Sequence, residues 1–174
     1  MRCRAVVNAA GPWVDTIRKM EDPGCRPVAR LSKGVHVVIQ PESEWLAALA
    51  VSLHDDRHLY AVPCEGTVLL GTTDTEHLGD PGHVAPGPAD VSSLLDAASE
   101  FLAPKALLPK RVISAFAGLR VLPLGQEAAP SASREHLVSV GSGGVVSVAG
   151  GKLTTHRQIA LDALGHLPAG IRPP

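Results

Sequence analysis

Residues 145–157 read Val-Val-Ser-Val-Ala-Gly-Gly-Lys-Leu-Thr-Thr-His-Arg, and no other stretch constrains the fold as much. The apolar run at its start predicts a buried strand over 145–149. The pattern beyond Lys152 is helical, so Gly150 and Gly151 must turn the chain from strand to helix. Without a Cβ, such residues let the backbone come close to a ligand. The first N–H groups of a helix lack intrahelical partners and carry positive partial charge. A turn of this kind suits a phosphate or another electron-rich group. Lys152 adds an ammonium at the same place; the plainer alternative is a solvated lysine at a helix start.

Further motifs precede it. Val6-Val7-Asn8-Ala9-Ala10-Gly11-Pro12-Trp13-Val14-Asp15 is an apolar run that ends in a Gly-Pro turn. Lys33-Gly34-Val35-His36-Val37-Val38, Gly71-Thr72-Thr73-Asp74-Thr75 and Ala117-Gly118-Leu119-Arg120-Val121-Leu122-Pro123 follow in that order. Together with residues 147–157, the set resembles the FAD-dependent glycerol-3-phosphate dehydrogenases, within the D-amino-acid-oxidase-like flavoprotein superfamily. The resemblance runs from about residue 5 to residue 167.

Periodicity predicts strands over 4–10, 31–40, 59–63, 67–71, 111–122, 137–140 and 145–149. Helices are expected over 13–20, 91–103 and 153–167, with a helical turn over 44–49. Val35, Val37 and Ile39 share one strand face. Cys64-Glu65-Gly66 and Gly141-Ser142-Gly143-Gly144 read as hairpin connections. Asp90 is the expected N-cap of the middle helix, with Val91, Leu94, Leu95, Ala98 and Leu102 on its inner face. Ile159, Ala160, Ala163, Leu164 and Leu167 form the expected inner stripe of the last helix. Residues 77–88 and 126–133 read as loops. Strands with few helices between them predict an antiparallel or mixed sheet.

The resemblance implies an α+β fold: a mostly antiparallel or mixed substrate-domain sheet with helices, plus part of a discontinuous FAD-binding domain. Residues 1–30 would end the first FAD-domain segment, 31–122 would form the substrate domain and 123–167 would return to the FAD domain. Residues 168–174 read as a frayed tail. The family opens with a Gly-x-Gly-x-x-Gly turn that holds the cofactor's pyrophosphate. Nothing of the kind precedes Arg4, so the expectation is an N-terminally truncated fragment, lacking the C-terminal helical extension as well. A truncated gene product, a misplaced start and half of a split protein remain open.

The implied activity is oxidation of glycerol 3-phosphate to dihydroxyacetone phosphate, with hydride transfer to FAD and electrons passing on to quinone or oxygen. FAD binding by the fragment itself is left open, and the isolated piece is expected to be colourless or nearly so, and inactive. Two alternatives stand beside it: an amine- or amino-acid-oxidising member of the superfamily, and a non-catalytic remnant without cofactor. The resemblance places Asn8, Ala10, Gly11, Trp13, Gly118, Gly150, Gly151, Lys152, Leu153 and Thr154 at the cofactor. It places Arg120, Arg134, Thr73 and Asp74 at the substrate, and gives Lys152 and Arg120 the catalytic roles.

Each has a plainer reading. A guanidinium on an apolar strand is costly to bury unpaired and matches a phosphate in two-point geometry, but it can equally serve a salt bridge at the sheet end. Arg134 can be an ordinary surface arginine, and Thr72, Thr73 and Asp74 a side-chain-capped turn. Val121 stands where the family usually has proline, and His156 where it has tyrosine.

Composition excludes several classes. The chain has 174 residues, 45% apolar and 19% charged, with a formal net charge of −1. That is globular, with no general attraction to nucleic acid or anionic membrane. Cys3, Cys25 and Cys64 are odd in number and lack Cys-x-x-Cys spacing, which favours a reducing compartment over a disulfide framework. No run approaches the roughly 20 apolar residues of a membrane span, and residues 1–4 lead into no signal-peptide core. The expected location is the cytoplasm or the inner face of the membrane, with peripheral association for quinone reduction. The expected partners are a phosphorylated polyol and a separate N-terminal FAD-domain fragment. His54, His58, His77 and His83 read as loop histidines, and no metal site is expected.

Overall fold

In the computed structural model, residues 2–53, 58–124 and 135–171 are described. The elements in chain order are β1 (Val7–Asn8), α1 (Val14–Glu21), β2 (Ala29–Ile39), β3 (Leu49–Ser52), β4 (His58–Cys64) and β5 (Thr67–Gly71). They continue with β6 (Thr75–Glu76), α2 (Pro88–Ala98), β7 (Val112–Pro123), β8 (His136–Val140), β9 (Val146–Gly150) and α3 (His156–Gly165). The architecture is α+β with mixed pairing, as expected. It falls into two compact units: residues up to Ser32 together with those from Arg120 onward, and Lys33–Leu119.

In the first unit the sheet order is β1-β9-β8. β1 runs parallel to β9, with Val7 opposite Val146 and Asn8 opposite Ser147. β8 runs antiparallel to β9, with Val138 opposite Val148. Val146, Ala163 and Leu167 form its core, backed by Ala5, Val138, Val148 and Leu164. Burying the valine and leucine side chains among them stabilises by about 1.5–3 kcal/mol each when burial is complete.

Two carboxylates fix the path around α1. Asp15 accepts from the N–H of Val28 at 3.1 Å and from Arg18 at 2.8 Å, which sets where the chain enters β2. Glu21 accepts from the N–H of Gly143 at 2.6 Å and of Val145 at 3.1 Å, tying the end of α1 to the β8–β9 turn. A Cβ at Gly141 would overlap the Glu21 carboxylate, so that turn needs glycine for its neighbour's sake.

In the second unit the sheet order is β3-β4-β5-β2-β6, and β7 also pairs with β2. Val35, Val37 and Ile39 are fully buried on one face, as their alternation predicts. They pack with Leu59, Ala61, Val68 and Leu70 against Leu94 and Ala98 of α2. The β4–β5 hairpin turns through Glu65 and Gly66, both at positive φ (47° and 78°), which matches the right-handed twist of the flanking strands.

Several expectations need correction. The strand expected over 4–10 is confined to Val7–Asn8, because the N–H of Ala10 donates to Asn8 Oδ1 instead of a strand neighbour. No helical turn forms over 44–49; Leu49 begins β3, whose ladder to β4 overrides local preference. Asp90 is not the N-cap. Gly87 is, Pro88 takes the first helical position, and Asp90 reaches back from the third to accept from the N–H of Gly87 at 2.7 Å. α2 stops at Ala98 rather than 103, although Leu102 beyond it is buried. The last helix opens with a 3-10 turn, Leu153–Thr155, and Ala160 of its expected inner stripe is exposed. In the expected frayed tail, Ala169–Ile171 forms a 3-10 turn and Arg4 donates to the carbonyl of Gly170 at 2.7 Å. The loop expected over 126–133 lies outside the described residues.

Candidate functional site

Because β1 and β9 are parallel neighbours, their carboxyl ends lie at the same edge of the sheet. Each runs into a glycine turn and then a helix. After β1 come Gly11 (φ +55°), Pro12 and Trp13, in a 3-10 turn that leads into α1. After β9 come Gly150 (φ +74°) and Gly151 (φ +87°), then Lys152, the 3-10 turn and α3. The crevice outside the carboxyl ends of parallel strands is the general ligand position in folds of this type. Among the described residues no side chain caps either start, so their N–H groups keep their positive partial charge toward that edge.

Asn8 builds this arrangement from inside. It is 4% exposed. Its Nδ2 donates to the carbonyl of Val14 at 2.9 Å and to Ser147 Oγ at 3.1 Å, and its Oδ1 accepts from the N–H of Ala10 at 3.2 Å. One buried amide therefore sets the first turn, the start of α1 and the β1–β9 spacing. A buried amide of this kind must be satisfied to be tolerated.

The glycines divide by what surrounds them. No described atom lies within 4 Å of where a Cβ at Gly11 or Gly118 would sit. A Cβ at Gly150 would lie 2.7 Å from the ring of Pro123 and 2.9 Å from the carbonyl of Glu135, and one at Gly151 would overlap Ile159 Cδ1. The glycine requirement at 150 and 151 thus comes from the protein's own packing and from φ, while Gly11 and Gly118 leave open space.

Lys152 and Thr154 are exposed, and Leu153 is 88% exposed beside them. Trp13, at the first turn, is 43% exposed. The carbonyl of Lys152 accepts from the N–H and hydroxyl of Thr155, so the backbone of the turn is fixed while its side chain extends outward. Arg120 lies on β7, three residues before Pro123, and is partly buried. Pro123 abuts Gly150, and three residues of strand span about 10 Å. Arg134 and His54 lie outside the described residues.

In the second unit, Thr73 is 3% exposed. Its hydroxyl accepts from the N–H of Val35 at 2.9 Å, and its own N–H donates to the carbonyl of Val35. Its side chain anchors the loop, while Asp74 beside it is exposed. Sequence reasoning passed over His36. Its ring stacks on Phe116 with centroids 5.2 Å apart and 14° between planes, and it lies where a Cβ of Gly71 would be. Tyr60 stands opposite Gly71 in the ladder. The available signal was the strand alternation, which sets His36 on the face opposite Val35 and Val37.

Lys33 bonds Asp90 at 2.7 Å. That hydrogen bond, chiefly, holds the Asp90 carboxyl below the usual carboxylate range; burial opposes it and the N–H of Gly87 adds to it. Asp80 is likewise lowered, first by the N–H of Gly82 and then by His83. Among the described residues, no group of three or more His, Cys, Asp or Glu could hold a metal ion. No helix among them is long and apolar enough to cross a membrane.

Residues 1–157 match the family model described as FAD dependent oxidoreductase. The chain is 36% identical over 179 residues to glycerol-3-phosphate dehydrogenase 2 of Mycobacterium bovis, covering 99% of this chain and 30% of that protein. It is 33% identical over 171 residues to the mitochondrial glycerol-3-phosphate dehydrogenase of Mus musculus, covering 94% and 23%. Among solved structures, the Bacillus halodurans glycerol-3-phosphate dehydrogenase complexed with FAD matches at a TM-score of 0.77 and 31% identity, over 97% of this chain and 33% of that one. The FAD-bound L-alpha-glycerophosphate oxidase of Mycoplasma pneumoniae matches in fold, with a TM-score of 0.70 at 16% identity, over 94% and 42%. The chain spans 23% and 30% of the length of the two curated relatives. Its matched residues and its fold place it as a member of the FAD dependent oxidoreductase family.

Proposed function

We propose that this chain supplies part of the FAD site and part of the substrate site of a flavin-dependent oxidoreductase that converts glycerol 3-phosphate to dihydroxyacetone phosphate. The observation that carries the reading is the pair of adjacent strand-glycine-helix turns at the carboxyl ends of β1 and β9. When bound, FAD accepts the two electrons released as the secondary alcohol becomes a ketone.

The chain's own residues have defined tasks in this reading. Asn8 holds the first turn so that Ala10, Gly11 and Trp13 present backbone and an apolar ring to the cofactor. The 150–154 turn directs its N–H groups, and Lys152 its ammonium, at the electron-rich part of the ring system. The open space at Gly118 leaves room for a planar ligand. Arg120 and Arg134 hold the phosphate, and Asp74 and the loop anchored by Thr73 border the polyol. Residues 1–30 and 123–167 belong to the cofactor domain, and 31–122 to the substrate domain.

β1 also marks a partner. Among the described residues β9 is the strand it pairs with, and Val6 and Val7 are half exposed. An added parallel strand from a segment bearing a phosphate-binding turn fits this edge. The electrons would pass on to a quinone, reached by peripheral contact at the inner face of the membrane, or to oxygen.

A chimera tests the reading: residues 1–167 replace the matching stretch of the Mycobacterium bovis relative. The expected result is dye reduction by the FAD-loaded chimera with glycerol 3-phosphate, and none with glycerol or amino acids. A soluble chimera that holds FAD but does not respond to glycerol 3-phosphate overturns it.

A further inference from the structure

One side chain braces the second turn from behind. His136, the first residue of β8, pairs in register with Gly150. Its Cβ lies 3.2 Å from where a Cβ of Gly151 would sit. Its ring then reaches α3, where Nε2 donates to Asp162 Oδ2 at 2.7 Å. The other carboxylate oxygen accepts from Gln158 Nε2 at 2.8 Å, and His166 Nδ1 lies 2.8 Å from the Asp162 carbonyl.

Ile159, the other side chain against Gly151, is three residues before Asp162, so both lie on one helix face. His136 therefore touches the turn with its Cβ and the helix with its ring. Two consecutive glycines make a soft joint, because they lack the steric limits of other residues. Swinging α3 about that joint requires breaking the His136–Asp162 bond. Its two side chains are 19% and 39% exposed, so water competes only in part.

We propose that His136 and Asp162 are positioning residues for the Gly150-Gly151-Lys152 turn. The pair sets the direction in which α3 leaves β9, and with it where Lys152 and the N–H groups of residues 151–154 point. What those groups would face rests on the proposed flavin site; the brace itself is a property of the chain without flavin.

Amide hydrogen exchange on the flavin-free 174-residue chain tests it. His136→Ala and Asp162→Ala should each speed exchange of the Thr155 and His156 N–H groups, which bond the carbonyls of Lys152 and Leu153, by about fivefold or more, while Gly143 and Val145 stay within about twofold. The double variant should be no faster than either single one. His136→Gln places an amide N–H where Nε2 stood and should restore slow exchange. Unchanged exchange at Thr155 and His156 overturns the proposal. So does equal acceleration at Gly143 and Val145, which would make the pair a general stabiliser of the unit. His136→Gln behaving like His136→Ala would also overturn it. If His136→Ala does not fold, Asp162→Ala and His136→Gln carry the same comparison. Because no flavin is present, this result is independent of whether the chimera turns over.

Discussion

The turns after β1 and after β9 read alike in sequence, each an apolar strand, glycine and helix, yet their glycines answer to different forces. At Gly11 the backbone enters the left-handed region and nothing described lies within 4 Å of the missing Cβ. At Gly150 and Gly151 the missing Cβ positions are filled by Pro123, Glu135, Ile159 and His136. The first turn is held from below by Asn8 and leaves its upper side open. The second is walled by protein on one side and presents its N–H groups, Lys152, Leu153 and Thr154 on the other. A glycine-rich motif is thus no single signal: one glycine makes room, and its counterparts let the protein close upon itself.

The sharpest way to break that comparison is to add the missing carbon. Gly151→Ala should destabilise by about 3 kcal/mol or more, since overlap with Ile159 adds to unfavourable φ. Gly11→Ala should cost only about 1 kcal/mol, the conformational part alone. Urea unfolding of both variants reads the difference, and equal losses would erase the distinction. Asn8→Ala comes next, at about 2–3 kcal/mol, because it takes a partner from the carbonyl of Val14, the hydroxyl of Ser147 and the N–H of Ala10.

A third helix start sharpens the contrast from outside. α2 is capped, with Asp90 bound to the N–H of Gly87 and to Lys33, whereas among the described residues no side chain caps α1 or α3. Asp90→Asn should cost about 1 kcal/mol at neutral pH. The folded-state carboxyl is lowered from 3.8, so its contribution is fully present above that value. It fades as the pH falls through 3.8 toward the lower folded value. Wild-type and variant stabilities should therefore converge in acid, and a difference that persists there would refute the assignment. The smallest effect is expected at Lys152→Ala, within about 0.5 kcal/mol in stability because the side chain is exposed. In the FAD-loaded chimera the same change should slow substrate-dependent dye reduction.

What was legible in the sequence is what local pattern encodes. Val35, Val37 and Ile39 announce their face by period two, and residues 145–157 announce a strand, a turn and a helix. The family was legible because several motifs occur in order, each tied to one chain segment. What was hidden depends on partners distant in sequence. Glu21 looks like a solvated helix end until it meets Gly143, 122 residues away. Leu49 looks helical until β4 offers it a ladder. Asp90 looks like the N-cap, but Gly87 takes that place and Pro88 the first helical position, so Asp90 reaches back from the third. His36 looks like a polar residue in an alternating strand until Phe116 and the bare backbone of Gly71 give its ring a place.

The bond between Asn8 and Ser147 joins residues 139 apart in the chain. A ribosome finishes Lys33–Leu119 before it makes any of β9. The second unit's strands can thus find one another while β1 waits with no parallel neighbour from its own unit. Closing so long a loop costs entropy before any contact repays it, so this pairing should be among the last and slowest events of folding. Until then, half-exposed Val6 and Val7 sit on an unsatisfied strand edge, which is where a nascent chain is most open to a chaperone or to aggregation.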